Sequence, residues 1–475
     1  MKRRTTTERI HALRAAAITI GLAVGTSALA QQPFQTVIEG YVAEALRSNL
    51  ALQTETLEVE RAAAARAAAR ARYFPEATLE SRYSRADGGR SIGMPIGTAL
   101  NPVYSTLNDM LVAQGQEPRF PQLADLSIPF LREKEQDTRL SIRQPLYAPA
   151  IAAAVQAQRA LLDASNYQRM ALARTLRRDV HLAYVDWLKA RNSIDIVAAS
   201  ETLLQENVRV NRSLFDNGKL TEDQVLRAQA ELLAVEQQKR EVENLTRQAQ
   251  SYFNFLLNRS LTAPIDVSAP PASASESDEA LELLWTRALD RRPELNRLGQ
   301  LQEASAAQVR AARKQRWPTL SLGLDAGTQG EEYRFGEDYN FGVASLVFTW
   351  KIFDGGADAA RVREARAAQR QLVLREEEIS QRIRLEVQQA LDRLQTARAS
   401  LVTAAARADA ARAAFRIASR KRDEGVINQV EFIDARSTLT GAELNLNLTR
   451  FDVLARRAEL DYATSSGDLP IEPSL

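Results

Sequence analysis

The stretch "FDNGKLTEDQVLRAQAEL", Phe215–Leu232, returns in altered form as "RDEGVINQVEFIDARSTL", Arg422–Leu439. In both, a lone Gly precedes a polar helix starter (Thr221, Asn428) and then an apolar pair (Val225-Leu226, Phe432-Ile433). Gly425 lies 207 residues after Gly218, and the same offset carries Ala228 onto Ala435 and Leu232 onto Leu439. Gly permits the left-handed backbone that ends a helix. Thr221 with Gln224, and Asn428 with Glu431, fit capping boxes that open the next one. Each stretch reads as the tip of a helical hairpin, so the chain makes the same sharp turn twice.

The echo continues outward. "ALRSNLALQ" (Ala45–Gln53) pairs with "ALDRRPELN" (Ala288–Asn296), and Phe74-Pro75 falls on Trp317-Pro318 at an offset of 243. "QPLYAP" (Gln144–Pro149) resembles "WKIFDG" (Trp350–Gly355). The first copy is residues 31–261 and the second 281–466; a Ser/Pro/Ala-rich linker, 262–280, joins them, and 467–475 form a tail. Phe74 to Leu146 is 72 residues but Trp317 to Ile352 only 35, so the first copy carries 37 extra. They fall in a Gly- and Pro-bearing stretch, about 87–137, expected to be a long loop.

The N-terminus has a basic start (Lys2, Arg3, Arg4), an apolar run (Ala15–Gly25) and a small-residue end (Ala28-Leu29-Ala30). That is the pattern of a secretory signal peptide, residues 1–30. The apolar run is too short to span ~30 Å of hydrocarbon. The remainder carries 57 Lys+Arg against 59 Asp+Glu, which gives no sign of a nucleic-acid partner. The absence of Cys excludes disulfides and thiolate metal sites.

From Ile151 to Ser260 there is no Pro, and Gly218 is the only Gly. Strong helix formers fill the stretch. The expected helices are Val37–Arg72, Ile151–Asp216 and Thr221–Leu257, then Asp278–Arg316, Ala357–Asp423 and Asn428–Tyr462. At 1.5 Å per residue the long ones reach about 100 Å, and the two shorter ones stacked end to end match that length. Between them lie short alternating segments, about 75–86, 138–147, 318–328 and 341–352. Their length and period fit membrane strands of ~9–11 residues, with a soluble two-layer sheet as the alternative. A membrane sheet must close, because an open edge in lipid costs several kcal/mol per unpaired group. Four strands are too few for a barrel of at least about eight, so two or more chains would share one.

In this order, the signal, "YFPEATL", "QPLYAP", "NGKLTEDQVLRAQAEL", the linker, "RWPTLSL", "WKIFDGG" and "EGVINQVEFIDARSTL" resemble the TolC-type family of bacterial outer-membrane factors. The resemblance covers nearly all of the mature chain. It implies an α+β membrane protein built from a duplicated helix–strand–strand–long hairpin unit. Four strands per chain enter a 12-stranded trimeric β-barrel, continuous with a periplasmic α-helical barrel. It implies a homotrimer in outer-membrane lipid, acting as a passive exit duct without a cofactor. An inner-membrane pump would be joined to it through a periplasmic adaptor. The tips, Asn217, Gly218, Lys219, Leu220, Thr221 and Glu424, Gly425, Val426, Ile427, Asn428, would form the periplasmic entrance and touch the adaptor. Glu431 and Asp434 match acidic positions that ring that entrance in the family. Arg422 and Ile427 occupy the places of a polar tip network that elsewhere uses a Tyr and an Arg.

Catalytic signatures are missing from the sequence. His181 is the only His of the mature chain, with no companion ligand type nearby, and reads as a packing residue. No phosphate-cradling loop or nucleophile elbow occurs. Phe74, Tyr147, Trp317 and Trp350 lie near strand ends, where an interfacial belt or a junction would use them. The other functional class to weigh is a periplasmic coiled-coil adaptor or structural protein with no membrane-spanning barrel.

Overall fold

The computed structural model describes residues 33–268, 279–467 and 469. The expected signal peptide lies outside them, as does much of the linker. Helices α1 (Phe34–Ser48) and α2 (Leu50–Ala71) lead into β1 (Glu76–Arg85). An insert with β2 (Ser91–Met94), α3 (Ile96–Ala113) and β3 (Leu126–Pro129) follows, then β4 (Lys134–Tyr147). The first hairpin is α4 (Pro149–Asp216) with α5 (Glu222–Leu256). The second half repeats the order without the insert: α6 (Leu281–Arg291), α7 (Pro293–Lys314), β5 (Thr319–Gly330), β6 (Asn340–Thr349), α8 (Ala357–Asp423) and α9 (Gln429–Ala463).

Four expectations need correction. The helix expected over Val37–Arg72 is broken at Asn49 (φ −64°, ψ 124°), whose side chain accepts from the Leu52 N–H. Its counterpart is broken at Arg292 (φ −72°, ψ 120°), 243 residues later, because the residue before Pro293 is steered out of the helical region. The 87–137 segment is not a plain loop: it holds a strand pair and an 18-residue helix. Glycines and prolines there punctuate structure rather than prevent it. Finally, β4 begins at Lys134 and β6 ends at Thr349, so Trp350 lies beyond the sheet. Its indole N–H donates to the Arg316 carbonyl at 3.2 Å, tying sheet to helix.

The main sheet is antiparallel in the order β1-β4-β5-β6. Its register aligns Leu79, Leu140 and Ala326 in one row, and Ala77, Ile142, Leu324 and Ala344 in the next. Leu322 faces Leu346 and Leu320 faces Phe348 on the same side. The opposite face is charged: Arg139 pairs with Glu80 at 2.8 Å, and Arg82 with Asp137 at 3.4 Å. Gly327 sits across from Arg139, where an added Cβ would lie 2.3 Å from the Thr138 carbonyl. Leu79, Leu346 and Phe348 are each more than 60% exposed, so the apolar face has no cover within the chain. A ten-residue strand runs about 34 Å, or some 26 Å tall when tilted by ~40°, the height of an outer-membrane barrel's apolar band.

Helices continue from the lower end of the sheet as a wall. Near the sheet, α4 packs between α2 and α7, and α7 packs on α8. Farther down, α4 packs between α5 and α9, and α9 on α8. The core at the level of α1 gathers Ile38, Tyr41, Tyr184, Trp187, Phe253 and Phe451, with Tyr41 edge-on to Phe253 at 5.0 Å. Both sides of the wall are open. On one side α5 presents Leu226, Leu233, Leu245, Tyr252 and Phe255; on the other α8 presents Val373, Leu374, Leu385, Val402 and Ile417. All are more than half exposed. The open edges of the sheet, β1 and β6, likewise belong to opposite halves. A surface whose two sides differ this way associates head to tail, which closes into a ring when the rotation allows. Among the described residues no helix is long and apolar enough to cross a membrane.

Candidate functional site: the two hairpin tips

Both tips turn by the same device. Gly218 (φ +69°) and Gly425 (φ +72°) occupy the left-handed region. The Gly218 N–H donates to Phe215 O at 2.8 Å and the Lys219 N–H to Leu214 O at 2.9 Å. The Gly425 N–H donates to Arg422 O at 2.9 Å and the Val426 N–H to Lys421 O at 2.7 Å. These paired bonds satisfy carbonyls that a helix end would otherwise leave bare. Asn217, Lys219, Thr221, Glu424, Val426 and Asn428 are exposed, whereas Leu220 and Ile427 are half-buried. The two tips lie at the same end of the wall.

The caps differ. Thr221 makes no side-chain cap bond, which corrects the expected Thr221/Gln224 box. Glu222 and Asp223 in the first turn favour the positive helix end instead. At the second tip the box forms: Asn428 Oδ1 accepts from the Glu431 N–H at 2.9 Å, and Asn428 Nδ2 donates to Glu431 Oε1 at 3.2 Å. Glu431 is therefore engaged locally. Asp434 makes no ion pair among the described residues and lies on an exposed stripe with Thr438, Gly441 and Asn445.

Sequence reasoning missed a buried polar seam between α4 and α9. Asn447 Nδ2 donates to Ser193 Oγ at 2.9 Å, Ser200 meets Thr440 at 3.2 Å, and Gln429 Nε2 reaches Asn207 at 2.6 Å. Positions 193, 200 and 207 recur every seven residues, as do 447 and 440 on the antiparallel partner. That spacing was the available signal, since a seven-residue period marks a packed helix seam. Arg436 is 7% exposed, donates to Ser200 Oγ at 3.3 Å and lies over Phe415 at 5.4 Å. Arg422 lies over Phe432 at 4.1 Å. In the other orientation of the Asn207 amide, its oxygen accepts from Arg422 at 2.8 and 2.9 Å in place of Gln429. Burial lowers both guanidinium pKa values, against the pull of Asp423 on Arg422 and of Glu443 on Arg436. The two hairpins of one chain are thus joined near the tips by amides, hydroxyls and aromatic faces.

Higher on α4, His181 is packed beside Arg177 and Glu39, its Nε2 3.9 Å from the Glu39 carboxylate. Burial pushes its pKa down to about 4, Glu39 opposing and Arg177 assisting. Arg457 and Asp461 of α9 line a pocket together with Arg177 and His181.

Residues 284–466 match the family model described as outer membrane efflux protein, a range that spans β5, β6 and the second tip. Protein CyaE of Bordetella pertussis is 28% identical over 176 residues, 37% of each chain, so the match spans little more than a third of that relative's length. Among the solved structures that share the fold are two outer membrane channels. The Campylobacter jejuni CmeC outer membrane channel superposes with TM-score 0.74 at 17% identity, over 92% of this chain and 87% of that one. The open state of the Neisseria gonorrhoeae MtrE outer membrane channel gives 0.70 at 18% identity, over 91% and 89%. The described chain thus has the fold of these outer membrane channels, and its residues 284–466 match the outer membrane efflux protein family.

Proposed function

We propose that three copies of this chain form a passive exit duct in the bacterial outer membrane that reaches into the periplasm. The observation that carries this reading is the two-faced sheet, apolar on one side and charged on the other, running into a helical wall with open edges. Three chains supply twelve strands; the apolar faces meet lipid and the Glu80–Arg139 pairs line water. An adaptor without a barrel leaves this sheet without a role. A pump of the inner membrane drives transport. The tips, Asn217–Thr221 and Glu424–Asn428, dock on a periplasmic adaptor.

Asp434 is the better candidate for an acidic ring at the entrance, because the carboxylate of Glu431 already serves as a cap. Three Asp434 carboxylates around a narrow passage would raise the local cation concentration. Reversal potentials in a salt gradient test this. Asp434→Ala should lose cation preference, and Asp423→Ala on the preceding helix should keep it. Equal selectivity in both variants and the native chain would return Asp434 to an ordinary solvated face.

A further inference from the structure

The insert between β1 and β4 is a folded unit. Asn101 binds both the N–H and the carbonyl of Leu123, at 2.8 and 2.9 Å. Asn108 accepts from Arg119 and Phe120 N–H at 3.0 Å each and donates to the Phe120 carbonyl at 2.7 Å. Asp125 holds the Thr98 N–H at 2.8 Å. At Gly97 a Cβ would sit 2.2 Å from the Leu123 carbonyl, so helix and return segment touch backbone to backbone. The face of α3 that carries Gly97, Asn101, Tyr104 and Asn108 is therefore occupied.

The neighbouring face is the reverse of an ordinary surface helix. Ile96, Leu100, Val103, Leu107 and Met110 follow helical spacing and are 37–58% exposed. Asp109 is the only charged residue of α3. A surface helix turns its apolar stripe inward and its polar side to water; here the polar side is anchored and the apolar stripe lies bare. Ile92 and Ile128 of the adjoining strand pair, and Phe130 just beyond it, are exposed as well. A contiguous apolar surface of this kind marks an interaction site.

We propose that the apolar stripe of α3 packs against the same insert of neighbouring copies, so that the three inserts interlock at the outer mouth of the duct. This rests on the trimeric reading above. Two observations select the occupant. The insert departs from the end of β1, the open strand edge that must meet β6 of the next copy, so it is continuous with the boundary between chains. Its charge also disfavours a headgroup surface. Between 87 and 133 there are three Arg and five carboxylates, and α3 has no basic residue, whereas interfacial helices carry Lys and Arg toward anionic lipid.

The native chain has no Cys, so single thiols report cleanly. Ile96, Leu100, Val103, Leu107 and Met110 are each changed to Cys, with Asp109→Cys as the control off the stripe. Outer-membrane vesicles are treated with a bulky, membrane-impermeant maleimide, and in parallel with a thiol oxidant. Native mass in mild detergent is recorded for each variant. In the trimer, stripe thiols should label roughly tenfold or more slowly than Asp109→Cys, as for a site open about a tenth of the time. At least one stripe position should also give a crosslinked pair of chains on a non-reducing gel. A trimer whose stripe thiols label as fast as Asp109→Cys overturns the proposal alone. So does protection without any crosslink, which would assign the stripe to lipid. A monomer would overturn both this proposal and the duct.

Discussion

Replacing Gly218 or Gly425 by Val or by Asn tests the tips. Both glycines have positive φ, and nothing lies within 4 Å of an added Cβ at either position. A substitution therefore meets no clash, and its effect is confined to the backbone. An L-residue in the left-handed region costs roughly 1–2 kcal/mol, with Asn tolerated best. Since 1.4 kcal/mol is tenfold, Val should raise the population of the opened turn about 5- to 30-fold, and Asn clearly less. Amide hydrogen exchange at Lys219 and Val426 reads this directly, because their N–H groups close the two turns. Exchange at Lys219 should respond to Gly218→Val, and exchange at Val426 to Gly425→Val. Export should fall in the Val variants while the protein still reaches the outer membrane. Native exchange rates in both Val variants, with full export, would refute the assigned turn geometry and its role.

Other consequences follow from buried groups. His181 has a folded pKa of about 4 against 6.5 unfolded, so its stabilisation is complete above pH ~6.5 and is lost as pH falls toward 4. That is on the order of 3 kcal/mol per chain; His181→Gln should flatten the denaturation midpoint over this window, and an unchanged pH profile would count against its burial. Arg436→Met should be neutral or stabilising in chemical denaturation, because a buried cation that makes no ion pair among the described residues is replaced by an apolar chain of similar length. Ser200→Val should instead destabilise by about 1–3 kcal/mol, since Arg436 stays buried with a partner removed. Asn428→Ala should cost about 1 kcal/mol and free Glu431, while Thr221→Ala, where no cap bond forms, should cost little in the same assay.

The duplication was legible because its markers are rare in helical sequence: one Gly at each hairpin tip, and one aromatic-Pro pair before each leading strand. The two-residue alternation also identified the sheet, whose faces then separated into apolar rows and charged pairs. The insert was read as a loop because its glycines and prolines outweighed the spacing of Ile96, Leu100, Val103, Leu107 and Met110. The breaks at Asn49 and Arg292 were missed because propensity on either side is high, although Pro293 marked the second. The α4–α9 seam was hidden for a different reason. Ser200, Asn207, Gln429 and Thr440 look like surface residues, and only their placement against one another makes them a buried line. Of the candidate acidic pair, sequence could not separate Glu431 from Asp434; the reciprocal Asn428–Glu431 bonds do.

In the proposed duct one face of the sheet lines a water-filled pore and the other meets lipid. Ser345 lies on the charged face, in register with Gly323 and Arg143, and its neighbour Leu346 on the apolar one. Single-channel current through planar bilayers should be recorded for Ser345→Cys and Leu346→Cys while a charged, water-soluble thiol reagent is added. Ser345→Cys should lose conductance in up to three discrete steps, one for each chain around the pore, and Leu346→Cys should be unaffected. Steps in Leu346→Cys with none in Ser345→Cys, or no conductance from either protein, would contradict this arrangement.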